Sequence, residues 1–178
     1  MFLRHLSAFA AGALGLLALG SGALADTYCQ SDETAVFSCD FGSHTGSVCA
    51  SQDIGPGKGR LTYRFGHLDR VLMAYPPAGT VPAKAFTSGA FMVSGGGGAW
   101  LRFEDQKIRY TVFTAIGKWN PRGGPLELAG VVMEQNGREP VSMACRGEVI
   151  NELGPAFFEQ AGLKAAGEFE IPKTFLPR

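Results

Sequence analysis

The 178 residues carry 16 Lys and Arg against 16 Asp and Glu without a long run of either sign, so the chain lacks the basic face that nucleic acid or an anionic membrane surface requires. Its length suits one ordinary domain with room for a real core. The spacing of its four cysteines matches no zinc site.

Residues 1–25 read as a secretory signal, with Arg4 as the positive start, Leu6 to Leu19 as the apolar middle and Ala23-Leu24-Ala25 as the small-residue cleavage site. The mature chain is expected to begin at Asp26 and to form a single domain over 26–178. The same run approaches membrane-spanning length, but Gly12, Gly15, Gly20 and Gly22 interrupt it, so no stable span is expected after cleavage. No cysteine is placed at the cut to take a lipid. Cys29, Cys39, Cys49 and Cys145 all follow the signal, an even set that in a periplasmic or secreted protein predicts two disulfides.

The first strand signal is AVFSCDF from Ala35, with Phe37, Cys39 and Phe41 on one face, and FGSHTG turns the chain into Ser47 to Ser51. A turn centred on His44 places Cys39 opposite Cys49, which predicts that pair and leaves Cys29 to Cys145. DIGPGKG is a loop. Leu61, Tyr63 and Phe65 alternate into a strand, FGHLD turns it, and Val71, Met73 and Tyr75 mark the next before Pro76 and Pro77 stop it. AGTVPAKA reads as loop. Phe86 to Ser94 is a strand in which Gly89 predicts a bulge or a close backbone contact.

Ser94 to Ile116 is the organising hairpin. With a two-residue turn within Asp105, Gln106 and Lys107, Leu101, Phe103, Ile108, Tyr110 and Val112 share one face, because strand side chains alternate with period two. Trp100, Arg102, Glu104, Arg109, Thr111 and Phe113 then take the other. Gly117 to Pro125 is irregular, and Trp119 within it has no assigned face. Gly130 to Cys145 is a second hairpin in which Asn136-Gly137 suits a two-residue turn; that turn sets Pro140 against Met133, where it has no N–H to give, so a bulge or an edge is expected. Pro155 to Ala161, closed by Gly162, predicts one short helix. The fold expected is all-β: an antiparallel sandwich or barrel of about eight or nine strands with that C-terminal helix.

Catalytic chemistry finds little support. A nucleophilic triad needs a base, and the mature chain offers only His44 and His67, both in turns, with no elbow motif around any serine. Glu104 and Asp105 are adjacent and read as surface and turn charges rather than a glycosidase pair. His67 with Asp69, or His44 with Asp40, supplies too few ligands for a metal. Gly95 to Gly98 is followed by strand and by no Lys-Ser or Lys-Thr, so it is a bend rather than a phosphate loop. No catalytic residue, cofactor or metal is therefore expected. The outward face of the hairpin, Trp100, Arg102 and Arg109 with Arg64 joining if its strand is adjacent, is the candidate binding surface for an anionic or sugar-bearing ligand or a protein; the competing reading has this face covered and structural.

Several segments together carry a resemblance: FSC (Phe37 to Cys39), VCA (Val48 to Ala50), LTYRFG (Leu61 to Gly66), GGGGAWLRF (Gly95 to Phe103), RYTVF (Arg109 to Phe113), GVV (Gly130 to Val132) and Cys145. Across most of the mature chain they resemble a group of small, uncharacterised secreted proteins of Gram-negative bacteria, a likeness that implies export and no activity. Ser88-Gly89-Ala90-Phe91 is faintly similar to the serine-glycine-aromatic loop of periplasmic lysozyme inhibitors, which implies a protein partner. The function expected is a periplasmic or secreted non-enzymatic binding protein, with a cell-envelope ligand or an envelope-acting enzyme as partner. A hydrolase with an unfamiliar site and a structural envelope component are the alternatives.

Overall fold

The computed structural model describes residues 26–67 and 69–177; the expected signal, residues 1–25, lies outside them. Alternating apolar positions produce eleven strands: β1 Glu33–Asp40, β2 Thr45–Ser51, β3 Leu61–His67, β4 Arg70–Tyr75, β5 Thr87–Val93, β6 Gly96–Asp105, β7 Ile108–Gly117, β8 Leu126–Gln135, β9 Val141–Ala144, β10 Arg146–Asn151 and β11 Lys164–Ala165. They form two sheets, ordered β10-β1-β2-β3-β4 and β11-β5-β6-β7-β8-β9. Of the two architectures expected, sandwich or barrel, the two sheets make a sandwich, with eleven strands among the described residues rather than eight or nine and only the short β11 parallel to its neighbour. Phe37, Val48, Leu61 and Tyr63 of the first sheet meet Leu101, Phe103, Val112 and Val131 of the second in the main core.

The organising hairpin has the expected register. Asp105 pairs with Ile108, and Gln106 and Lys107 take φ of 49° and 65°, the two positive angles that a two-residue turn matched to strand twist demands. Leu101 therefore faces Val112 and Phe103 faces Tyr110 on the core side. Gly89 is a close contact rather than a bulge. It pairs with Trp100, and a Cβ there would stand 2.4 Å from the indole.

Other local expectations are corrected in detail. The second hairpin does turn at Asn136-Gly137, where the Arg138 N–H donates to the Gln135 carbonyl at 3.0 Å, but only Gly137 has a positive φ, and beyond the turn the register shifts so that Met133 pairs with Val141 instead of Pro140. That one-residue shift, the irregularity expected at the proline, leaves Pro140 outside the strand, where its missing N–H costs no ladder bond. In the run Gly95 to Gly98 only Gly95 turns, with φ of 80°; Gly96 to Gly98 are paired strand, and a Cβ on Gly96 would lie 2.1 Å from the Ile116 carbonyl oxygen. The stretch expected as loop before Phe86 contains one helical turn, α1 Pro82–Ala85, while the helix α2 Pro155–Gln160 lies where expected.

The disulfides are two, but paired Cys29–Cys49 and Cys39–Cys145. The β1–β2 turn is not centred on His44: Asp40 pairs with Thr45 and Cys39 with Gly46, while a shift near Val36 sets Ala35 opposite Cys49. Cys39 thus faces the core beside Val48, whereas Cys49 points out with Ser47, toward the N-terminal segment that carries Cys29. Cys145 is the single residue between β9, an edge of one sheet, and β10, an edge of the other. Its bond to Cys39 pins the corner where the chain changes sheets.

Both outer faces carry a strap of chain. On the first sheet, the Tyr28 N–H donates to Ser47 Oγ at 3.0 Å and Ser38 Oγ to the Asp26 carbonyl at 2.6 Å. On the second, Phe169, Ile171 and Phe175 of the C-terminal tail cover Trp100, Phe113 and Val132 in a core of their own.

Candidate functional site

The four residues singled out by sequence are divided by the fold. Trp100 is 1% exposed beneath the tail, so the indole is core and not an open binding face. Arg102 lies over it, the guanidinium carbon 4.4 Å from the ring centroid, and donates from Nε to Thr111 Oγ1 and from Nη2 to the Glu168 carbonyl, both at 3.0 Å. Burial lowers its pKa, and the nearby Arg109 charge lowers it further. Arg64 belongs to the other sheet, where its fork grips Glu33 at 2.6 and 2.9 Å and reaches the Tyr28 carbonyl at 3.3 Å. Each of these two arginines fastens one strap. Arg109 alone keeps a half-exposed side chain, 4.0 Å from Glu134. It meets Arg102 and Lys84 around a hollow of about 310 Å³ beside α1, where Arg102 is already engaged through Nε with β7 and through Nη2 with the tail.

The histidines come together at one end of the first sheet. His44 stacks on Phe65, with centroids 4.9 Å apart, and lies 4.2 Å from His67, whose Nδ1–H donates to the Ser43 carbonyl at 2.9 Å. Asp40, the expected companion of His44, instead accepts the Gly42 amide at 2.6 Å. Cys29, Glu33 and Cys49 cluster within 4.8 Å, but both sulfurs are locked in a disulfide and offer no thiolate. Ser88 of the serine-glycine-aromatic stretch is buried in β5.

A larger feature lies where the sheets part beyond Cys145: a groove of about 800 Å³ between β8 and β10. Its origin is legible in the ladder. The rows Leu101–Val112–Val131 and Phe103–Tyr110–Met133 fill the core at one end, while on the same face Ala99–Thr114–Ala129 and Gly97–Ile116–Glu127 succeed them at the other. Small side chains leave the interlayer space unfilled there. The facing wall is β10, from Gly147 to Asn151, and the approach to α2 through Leu153, Gly154 and Pro155. Asn151 Oδ1 ties the walls together at the base, accepting from Thr114 Oγ1 at 3.1 Å and from the Leu153 amide at 3.0 Å.

Among the described residues, the charged ones lining this groove are Glu127 and Glu148, and no basic residue lines it. Sequence reasoning missed it because small residues at core positions of a strand carry no signal until the register shows that they are neighbours. The recurrence of Gly97, Ala99, Thr114 and Ala129 on one face was the available clue.

Comparison with known proteins gives no match, whether to a family model, a curated protein or a solved structure.

Proposed function

We propose that this is an exported, non-enzymatic binding protein whose site is the groove between β8 and β10, and that its partner is a cell-envelope component or an envelope-acting protein. The observation that carries the proposal is the groove itself, a continuation of the core left empty by Ala99, Thr114 and Ala129 and held open by the Asn151 bridge. Concave, mostly pre-formed sites of several hundred Å³ with a few placed polar groups are the usual form of a ligand site. Two disulfides, with no free cysteine among the described residues, fit an oxidising compartment. Among the described residues no helix is long and apolar enough to cross a membrane.

The proposal places binding in the groove rather than on the hairpin face because Trp100 is covered and Arg102 and Arg64 are engaged within the chain. An amide-resolved NMR screen of water-soluble envelope components against residues 26–178 tests it. Hits are expected to shift the amides of Ala99, Thr114, Glu127, Ala129 and Val149, and to be lost in Ala129→Phe, which fills the hollow. Hits confined to Arg109 and Lys84 would move the site to the smaller hollow. Export is tested separately by N-terminal sequencing of the mature protein, with Asp26 expected first.

A further inference from the structure

Among the described residues, both walls of the groove are strand edges without a ladder partner. From Leu126 to Leu128, β8 pairs with β7 on one side, and β9 begins to pair on the other only at Gly130, opposite Ala144. Strand β10 pairs with β1 and stands at the end of its sheet. Edge strands present a row of N–H and C=O groups that a further extended chain completes, and natural proteins block such edges when they are not used. Two of the usual blocks, proline and lysine, do not occur within Leu126 to Ala129 or Arg146 to Asn151, and the charges these edges do carry, Glu127, Arg146 and Glu148, restrict which chain can add rather than close the edges. The chain diverges at Cys145 because Cys39 draws β10 to the other sheet, so the wedge between the two edges is fixed by a covalent bond.

Resting on the groove as the binding site, we infer that its ligand is an extended peptide segment bearing Lys or Arg, which adds as a strand against the free edges of β8 and β10. Backbone pairing to the edges supplies the affinity, and alternate side chains of the added strand supply the selectivity, as in other strand-addition complexes. One set enters the hollow over Ala99, Thr114 and Ala129, whose small side chains leave room for it. The charge pattern selects the remainder. Glu127 stands on one wall and Glu148 on the other with no lining cation between them, so a basic peptide meets complementary charge and an acidic one meets repulsion.

The test uses residues 26–178 with both disulfides intact and four probes: an alternating Lys-Val heptapeptide, its Glu-Val counterpart, the Lys-Val peptide N-methylated at alternate residues, and spermine. The Lys-Val peptide is expected to shift the amides of Glu127, Leu128, Gly147 and Val149, with its Kd rising at least fivefold in Glu127→Gln/Glu148→Gln. The Glu-Val and N-methylated peptides are expected to bind at least tenfold more weakly. Equal binding by the N-methylated peptide, or by spermine, would overturn strand addition while leaving the groove as the site. Groove shifts that grow with protein concentration alone assign it to a second copy of this chain and overturn the peptide ligand. If the Lys-Val peptide produces no groove shifts while other envelope components do, the peptide inference fails and the groove proposal stands; if nothing shifts groove amides, both fail.

Discussion

The Arg102 guanidinium lies 4.4 Å over the Trp100 ring while donating to the Glu168 carbonyl, so a single side chain joins the outer face of β6 to the tail that covers it. Truncation of either residue is therefore expected to act on stability. Trp100→Ala should cost roughly 3 to 5 kcal/mol, as loss of a buried aromatic does. Arg102→Ala, which removes one cation–π contact and two partly exposed hydrogen bonds, should cost about 1 to 2 kcal/mol. Urea melts of the two variants measure both.

Gly89 and Trp100 are coupled in the same way. A Cβ on Gly89 meets the indole at 2.4 Å, so Gly89→Ala should destabilise by about 1 to 3 kcal/mol through overpacking. In a Trp100→Ala background the clash is gone, and the penalty should largely vanish. A double-mutant cycle reads the coupling directly.

Much of this architecture was legible in the chain. The alternation around Asp105 to Lys107 placed Leu101, Phe103 and Val112 in the core because a one-residue slip would have exposed all of them. The same alternation placed Trp100 on the opposite side but carried no information on what covers it. That cover is Phe169, Ile171 and Phe175, which alternate as a strand would but join no ladder, and the segment ends in a 3-10 turn, Lys173–Phe175, so pattern alone gave no docking place for it. The disulfide pairing was lost for a similar reason. A turn centred ahead of His44 set Cys39 opposite Gly46, three residues from Cys49 along β2, and so put the two cysteines on opposite faces.

The Arg64–Glu33 pair should be a pH-dependent fastening of the N-terminal strap. The Glu33 side chain is 1% exposed, and its hydrogen bonds to Arg64 hold its carboxyl below the usual 4.5. A depressed acid contributes stability that is fully present above the unfolded value and is lost as pH falls through the folded one. Wild-type Tm should accordingly fall more steeply below pH 4.5 than that of Glu33→Gln. Arg64→Ala leaves a buried carboxylate unpaired and should cost about 3 to 5 kcal/mol at neutral pH, with part of the loss recovered in the Arg64→Ala/Glu33→Gln double variant.

Disulfide mapping of the non-reduced protein should recover Cys29 joined to Cys49 and Cys39 joined to Cys145. Their loops differ, with sequence separations of 20 and 106 residues. On loop entropy alone, removing the first pair should cost about 3 kcal/mol and removing the second about 5 kcal/mol. The second loss should also broaden the NMR signals of Gly147 to Val149, since Cys39 fixes the start of β10.

The central claim, that partners engage the groove between β8 and β10 and not the Trp100 face, is tested most directly by quantitative capture from envelope extract on three baits: the wild-type protein, Ala129→Phe and Arg102→Ala. The account predicts that the species enriched on wild type are lost on Ala129→Phe at unchanged Tm and retained on Arg102→Ala despite its lowered Tm. Retention on Ala129→Phe together with loss on Arg102→Ala would contradict it and return the site to the arginine face.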